Sequence, residues 1–111
     1  MEHFANWQDL PEEALGSAER KLFYGEKIML VRNNLHPHAG IPSHAHPHEQ
    51  LLHVLAGACD VTIGDKTEHL TAGGVAWVPS NVPHAVVNTE EDTPSIVVDI
   101  FSPIREDFLK K

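Results

Sequence analysis

The chain has 111 residues of which 41% are hydrophobic, enough for one ordinary core and too few for two, so we expect a single domain over residues 1–111. No stretch approaches the roughly 18 consecutive apolar residues of a membrane span, and the first residues lack the cationic start and apolar core of a signal peptide, which predicts a cytoplasmic protein with no membrane partner. The formal charge of −8, from 16 acidic and 8 basic residues, disfavours nucleic acid as a partner.

The first candidate element is a short helix over residues 10–22, which Gly16 weakens. After it come seven segments that are β-branched or alternate apolar and polar residues, each bounded by Gly, Pro, Asn or Asp. They cover residues 27–36, 49–57, 59–64, 66–70, 74–79, 84–89 and 94–102. Many short strands with tight turns, such as Gly64-Asp65, predict an antiparallel all-β sandwich or barrel with little helix. The single cysteine, Cys59, lies among apolar residues and is predicted to be a packed core residue rather than a nucleophile.

The segment over residues 36–50, HPHAGIPSHAHPHEQ, contains five histidines. Because a strand sends residues i and i+2 to the same face, His44 and His46 can point at one site. The proline that follows favours a turn, so a new strand should begin near Glu49. In that strand Glu49 and Gln50 lie on opposite faces, so only one of them can face the histidines.

A further histidine, His84, opens a later strand after a turn bracketed by two prolines. Two histidines at one strand end, one group from the next strand and this distant histidine form the three- to four-ligand set that divalent metals require. The other histidines are expected at the rim of the site (His36, His38, His48) or as ordinary surface or packing residues (His3, His53, His69).

The spacing of these residues resembles the two motifs of the cupin family, and the resemblance covers most of the chain. The first motif has a glycine, H-x-H, three or four residues, a glutamate, six residues and a glycine; here it reads Gly40, His44-Ala-His46, Gln50 and Gly57. The second has a glycine, five residues, P-x-G, two residues, a histidine, three residues and an asparagine; here it reads Gly73, Pro79-Ser-Asn81, His84 and Asn88. The resemblance implies a cupin double-stranded β-helix, or jelly-roll barrel, with core motifs at residues 40–57 and 73–88.

Three positions depart from the family pattern. The first glycine stands nearer to H-x-H than the family spacing asks, Asn81 replaces a glycine, and Gln50 takes the usual glutamate position. Asparagine is the non-glycine residue that best tolerates a left-handed backbone, so the change at Asn81 is mild. Glu49 is the alternative acidic ligand, but its spacing to the other motif residues fits less well. We therefore expect Gln50 to bind a metal through its amide oxygen.

A set of three histidines and one glutamine carries no negative charge. It therefore leaves a divalent ion its full charge to polarise an oxygen atom. The two-histidine, one-carboxylate pattern of iron oxygenases is absent from this set, which favours Lewis-acid chemistry over oxidation. Neutral nitrogen and oxygen ligands accept nickel, zinc, manganese, iron or cobalt, so the sequence predicts one divalent metal ion without selecting among these.

The C-terminal segment over residues 97–109, VVDIFSPIREDFL, places Asp99 and Phe101 on one face of a strand that Pro103 ends before Arg105. With the His-His-Gln-His set, this D-x-F-x3-R pattern resembles the pectin degradation protein (KdgF-like) cupins. These are small metal-dependent enzymes that convert 4,5-unsaturated monouronates to the linear, ketonised sugar. The resemblance implies metal ligands at His44, His46, Gln50 and His84, and substrate-handling or catalytic residues at Asp99, Phe101 and Arg105.

In this lyase- or isomerase-like reaction we expect Arg105 to hold the substrate carboxylate, Asp99 to move the proton and Phe101 to press on the sugar ring. The alternatives are that Asp99 is a buried structural partner and that Arg105 is a solvated charge beside Glu106 and Asp107. Two other functions remain open. One is another metal-dependent cupin enzyme such as a dioxygenase, and the other is a non-catalytic sugar- or metal-binding cupin of the kind fused to transcription regulators, which the eight basic residues disfavour.

The outer face of the strand that carries Asp99 is also apolar, since Ile96, Val98 and Ile100 alternate with the pocket residues. Such a face must be covered by the N-terminal segment or by a second subunit, and we expect a homodimer. Trp7 and Trp77 are predicted to be core or interface aromatics rather than sugar-stacking platforms.

Overall fold

Antiparallel strands dominate the computed structural model, which describes residues 3–109. The strands are β1 (Glu13–Ala14), β2 (Ala18–Tyr24), β3 (Met29–Leu35), β4 (Gly40–His44), β5 (Glu49–Ala56), β6 (Ala58–Ile63), β7 (Lys66–Thr71), β8 (Val75–Val78), β9 (His84–Asn88) and β10 (Ser95–Ser102). Two 3-10 turns flank them, at Trp7–Asp9 and Glu106–Phe108. Across residues 3–109 no helix has the length and apolarity needed to cross a membrane.

The strands form two sheets that pack face to face. One sheet has the order β1-β2-β3-β10-β5-β8 and the other β4-β9-β6-β7. Side chains from both inner faces meet in a core that contains Leu35, Leu52, Val54, Cys59, Val61, Val86 and Val97. This confirms the predicted all-β jelly roll. Cys59 is fully buried in that core, as its apolar neighbours predict, and burial raises the pKa of its thiol.

The alternation along β5 decides which polar side chain enters the barrel. Gln50, Leu52 and Val54 are buried, whereas Glu49 is exposed. A slip of one residue would expose Leu52 and Val54, which would cost roughly 3–6 kcal/mol of burial energy. The apolar residues of β5 therefore hold Gln50 on the inner face, and Glu49 instead accepts a 2.9 Å hydrogen bond from Trp77 Nε1 on the outside.

Two turns behave as the sequence predicts. Gly64-Asp65 forms the two-residue connection between β6 and β7, in which Ile63 pairs with Lys66. Asn81, at the family's glycine position, has a φ of 65°. Apart from glycine, which has no Cβ, few residues other than asparagine and aspartate adopt that left-handed conformation. Asparagine therefore preserves the turn that leads into β9.

The expected helix over residues 10–22 is wrong, because this segment forms β1 and β2. Gly16, with a φ of 86°, makes the turn between them. The residues of β2 alternate across the sheet and pair along the whole of β3, from Ala18 opposite Leu35 to Tyr24 opposite Met29. Charged residues at both faces of β2 conceal this period in the sequence, and pairing with β3 overrides the local helix propensity.

Candidate metal centre

Three histidines converge at one end of the barrel. His44 ends β4, His84 begins β9 directly opposite it, and His46 lies two residues beyond the end of β4. The expectation that His44 and His46 share a regular strand therefore holds only for His44, although both reach the same site. One ring nitrogen from each of the three histidines lies within 4.8 Å of the other two, so they could hold a metal ion.

Each of these rings is oriented by its own backbone. The Nδ1 atoms of His44, His46 and His84 lie 2.9, 3.0 and 2.9 Å from carbonyl oxygens two residues away in the chain. A carbonyl oxygen only accepts, so Nδ1 carries the proton in all three rings. The lone pairs on Nε2 are thereby left to face the centre, which is how backbone carbonyls orient histidine ligands around metals.

Gln50 presents its amide oxygen to the same centre. Its Nε2 donates a 2.8 Å hydrogen bond to Asp99 Oδ1, which turns Oε1 toward His46 Nε2 at 3.1 Å. Asp99 Oδ2 accepts a second hydrogen bond, of 3.0 Å, from Asn33 Nδ2. Because Asp99 can only accept hydrogen bonds when ionised, it fixes which end of the Gln50 amide faces the histidines.

Two of the three histidines, His46 and His84, favour the neutral form. Burial, followed by the charges of Arg105 and His84, lowers the pKa of His46 to about 4. Burial also lowers the pKa of His84, against the hydrogen bond to its backbone carbonyl partner. Metals bind the neutral form of imidazole, so these shifts favour a cation over a proton at neutral pH.

A buried atom without a partner indicates what kind of group this centre can bind. His84 Nε2 is buried and has no hydrogen-bond partner among residues 3–109. The neutral His46 ring and the Gln50 oxygen also bring two acceptors together at 3.1 Å with no proton between them. Buried acceptors that face one another are unfavourable unless a donor or cation lies between them. Three nitrogens and one amide oxygen therefore fit a divalent metal ion.

Asp99 is the other unusual titratable group. Burial raises its pKa from 3.8 to about 7, although hydrogen bonds from Gln50 and Asn33 and the charge of Arg105 lower it. A carboxyl group with a pKa near 7 can both accept and donate a proton at neutral pH. Its side chain lies on the inner face of β10 beside Phe101, as the spacing predicts.

Phe101 and Arg105 border the centre on the side of the C-terminal 3-10 turn. The Phe101 ring lies 5.5 Å from the His46 ring and 5.0 Å from the Arg105 guanidinium carbon. Arg105 Nε and Nη2 donate to the two carboxylate oxygens of Asp107, at 3.1 and 2.8 Å. The Arg105 guanidinium, which the sequence predicts to bind a substrate carboxylate, is thus paired with a carboxylate of the chain itself.

A cavity of about 290 Å³ joins these groups. Among the residues that line it are His44, Gln50, His84, Asp99, Phe101 and Arg105, together with Arg20, Asn33 and Phe108. Arg20 was not among the predicted site residues, because its segment was expected to be helical. Asn33 was within reach of sequence reasoning, since it interrupts the buried alternation of Val31 and Leu35 in β3.

The remaining histidines lie outside this cluster. His48 is half-buried rather than simply at the rim, with its ring 5.4 Å from that of His46 and 6.4 Å from that of Phe101. Three others face carboxylates at the surface: His36 with Glu19 at 2.7 Å, His38 with Glu91 at 3.1 Å and His69 with Asp60 at 2.8 Å. Trp77, 58% exposed, lies on the outer face of the barrel and does not line the cavity.

Residues 31–101 match the Cupin domain family model. This chain belongs to the cupin family. It is 34% identical to the pectin degradation protein KdgF of Dickeya dadantii over 104 residues, which cover 91% of this chain and 93% of that protein. It is also 38% identical to the H2HPP isomerase of Bacillus subtilis over 65 residues, 58% of this cupin and 27% of that longer protein.

Solved structures resemble this cupin over nearly its whole length. An RmlC-like cupin from Shewanella frigidimarina superimposes with a TM-score of 0.90 at 33% identity, covering 97% of this chain and 96% of the other. The structure of KdgF from a Halomonas species gives a TM-score of 0.89 at 26% identity, covering 97% and 99%. With the Dickeya dadantii relative, these matches make the chain a KdgF-like cupin.

Proposed function

We propose that this cupin is a metal-dependent enzyme of pectin or alginate breakdown that converts 4,5-unsaturated monouronates to the linear, ketonised sugar. The observation that carries the proposal is the hydrogen bond between Gln50 and Asp99, at 2.8 Å. It joins a neutral metal-ligand set directly to a carboxyl group whose pKa is about 7. The likeness to the pectin degradation protein KdgF supports the choice of substrate class.

The metal would be held by Nε2 of His44, His46 and His84 and by Oε1 of Gln50. When bound, a divalent ion supplies Lewis-acid polarisation of the sugar's oxygen atoms. None of the four ligands is charged, so they leave that polarising power undiminished. Nickel, zinc, manganese, iron and cobalt all suit this donor set.

The conversion is an isomerisation that needs one proton moved. The bond between C1 and the ring oxygen breaks, and C1 becomes a carbonyl as its hydroxyl loses a proton. The enolate left at C5 becomes a ketone as C4 gains a proton. Asp99 accepts and delivers this proton, because a pKa of about 7 makes both of its protonation states accessible. Its two amide donors, Gln50 and Asn33, hold the carboxyl group in place.

Arg105 and Phe101 position the substrate. Arg105 would take the uronate carboxylate in place of Asp107, whose side chain is 55% exposed and free to turn into solvent. Exchange of one carboxylate for another preserves the charge-assisted pair, so it carries little electrostatic penalty. Phe101, only 3% exposed, closes the apolar side of the cavity against the sugar ring.

The test follows loss of the ultraviolet absorbance of the conjugated double bond. Metal-loaded protein should consume an unsaturated monouronate, chelator should stop the reaction, and returned metal should restore it. His84→Ala should abolish turnover, whereas His69→Ala, at a surface histidine, serves as the matched control. Metal-loaded wild type that turns over no unsaturated uronate would overturn the proposal. Oxygen consumption would indicate a dioxygenase, and sugar binding without turnover would indicate a non-catalytic cupin.

The proposed enzyme is a homodimer. On the outer face of β5, β8 and β10, Leu51, Val75 and Trp77 are 49%, 68% and 58% exposed and border an apolar groove with Ile100. Contiguous apolar groups of this kind are typical of subunit interfaces. Sedimentation should give twice the chain mass, and Trp77→Glu should yield a monomer that keeps the fold.

A further inference from the structure

Arg20 is a cation on the inner face of the barrel. Along β2, residues 18, 20 and 22 share one face, and Ala18 and Leu22 both pack against the core. Arg20 lies between them, paired across the sheet with Asn33, whose side chain is bonded to Asp99. The Arg20 side chain is only 16% exposed and lines the same cavity as His44 and His84.

The guanidinium of Arg20 is held in place from two sides. Its Nε donates a 2.6 Å hydrogen bond to Glu13 Oε1, across the β1–β2 pair. Its guanidinium carbon lies 3.9 Å from the centroid of the Phe108 ring. Stacking on an aromatic face and an ion pair at Nε fix the plane of the guanidinium group. Its two terminal nitrogens have no hydrogen-bond partner in the described part of the chain and can bind a ligand.

Arg105 also lies over the Phe108 ring but is arranged differently. Its guanidinium carbon lies 4.2 Å from the Phe108 centroid, but both Nε and Nη2 are bonded to Asp107. Of the two arginines of the cavity, Arg20 thus donates to a carboxylate of the chain through one nitrogen, and Arg105 does so through two. Counting partners among residues 3–109, Arg20 therefore has the larger unpaired edge.

Two guanidinium groups in one small cavity predict an anionic ligand. Glu13 and Asp107 each pair with one of these arginines, but Arg20 keeps an edge without a hydrogen-bond partner among residues 3–109, and a carboxylate matches a guanidinium edge in shape and charge. We propose that Arg20 is a second carboxylate-recognition residue, which binds the substrate's acid group together with Arg105 and makes the cavity selective for acidic over neutral sugars. This inference rests on the proposed function, since it assigns the uronate carboxylate to the side of the cavity bordered by Phe108.

The role of Arg20 can be measured by separating binding from turnover. Arg20→Gln should raise KM for the unsaturated monouronate about 10- to 100-fold and change kcat less than about threefold, because a contact to the carboxylate is the same in ground and transition states. Arg20→Lys keeps the charge but loses the planar fork, so its KM should lie between those of wild type and Arg20→Gln. Arg32→Gln is the matched control, since Arg32 lies on β3 with its side chain on the opposite face.

A second readout tests charge selectivity itself. Galacturonate should inhibit wild type at a much lower concentration than galactose does, and Arg20→Gln should shrink that ratio about tenfold or more. A residue with a purely structural role would change inhibition by both sugars alike. Melting temperatures of the variants check folding, and if Arg20→Gln does not fold, Arg20→Lys decides, with an unchanged KM overturning the inference.

The failures of the two proposals are distinct. Wild type that is inactive on every unsaturated uronate would remove the proposed function and this inference with it. Active wild type together with an Arg20→Gln variant that matches Arg32→Gln in KM and in the galacturonate-to-galactose ratio would remove the role of Arg20 alone.

Discussion

The buried carboxyl group of Asp99 makes the stability of the metal-free protein depend on pH in a predictable direction. Its folded-state pKa, about 7, lies above its ordinary value of 3.8. Between these two values the folded chain holds a proton that the unfolded chain releases, so the free energy of unfolding falls as pH rises. About three pKa units at roughly 1.36 kcal/mol each amount to a loss of about 4 kcal/mol, complete slightly above pH 7.

Asp99→Asn removes this titration and isolates its contribution. Urea unfolding of metal-free protein at intervals from pH 4 to pH 8 gives the free energy of unfolding for both chains. Wild type should lose about 4 kcal/mol relative to the variant across this range, with most of the change between pH 4 and pH 7. The histidines with lowered pKa values act in the opposite direction, as stability lost on acidification, but they are present in both chains and cancel in the difference.

The control and the refuting result are both simple. Asp65→Asn, in the exposed turn between β6 and β7, should leave the pH dependence of wild type unchanged. Parallel curves for wild type and Asp99→Asn would mean that Asp99 is ionised in the folded chain throughout. In that case the two amide hydrogen bonds outweigh burial, and the proposed proton transfer loses its basis.

The same variant also tests how Gln50 is oriented. An aspartate accepts from both Gln50 and Asn33, whereas an asparagine has a single acceptor oxygen, so one of the two amides loses its partner. We therefore expect Asp99→Asn to weaken metal binding about 10-fold, as loss of an outer hydrogen-bond partner does. At saturating metal, kcat should still fall roughly 10²- to 10⁴-fold, because the proton-transferring group is gone.

Three further expectations concern the metal, the amide and the guanidinium. His46→Ala should lower metal affinity by more than the roughly 100-fold that is typical for losing a hydrogen-bond partner of a ligand. His48→Ala should keep the ion in elemental analysis. Equal loss of metal from both variants would show that the ligands are elsewhere. Gln50→Glu should bind the ion as tightly or more tightly but turn over more slowly, since a carboxylate reduces the ion's polarising power, and full activity would show that ligand charge does not control the rate. Arg105→Lys should raise KM about tenfold with a smaller change in kcat, and steady-state kinetics in which only kcat falls would contradict its role as a carboxylate clamp.

Local sequence patterns predicted the strands in which apolar and polar residues alternate. The strands that became β3 and β5 to β10 all carry apolar residues at every second position or β-branched runs between turn residues, and these signals need no tertiary information. The inward orientation of Gln50 and Asp99 follows from the same alternation, because their neighbours at i+2 are Leu52 and Phe101. Spacing also located the histidines, since turns and strand ends bring distant parts of the chain to one end of the barrel.

The prediction of a helix over residues 10–22 failed for a physical reason. β2 contains ERKLFY, in which a half-buried arginine occupies a position where alternation would call for an apolar residue. A cation at that position is stabilised by Glu13, across the β1–β2 turn, and by Phe108, which is distant in the chain. No local pattern predicts the contact between Arg20 and Phe108. The sequence therefore did not reveal that this arginine lines the cavity.

Gln50 and Asp99 are best explained together, as one hydrogen-bonded pair. The family's glutamate at this position would place a second carboxylate at the 2.8 Å distance that now separates Gln50 Nε2 from Asp99 Oδ1. Two carboxylates so close cannot both be ionised, and one would have to hold a proton or move away. The amide resolves this conflict, because one end faces the histidines as an acceptor while the other donates to Asp99. In the proposed enzyme this pairing keeps negative charge off the expected metal ligands and leaves it on Asp99, the group proposed to move the proton.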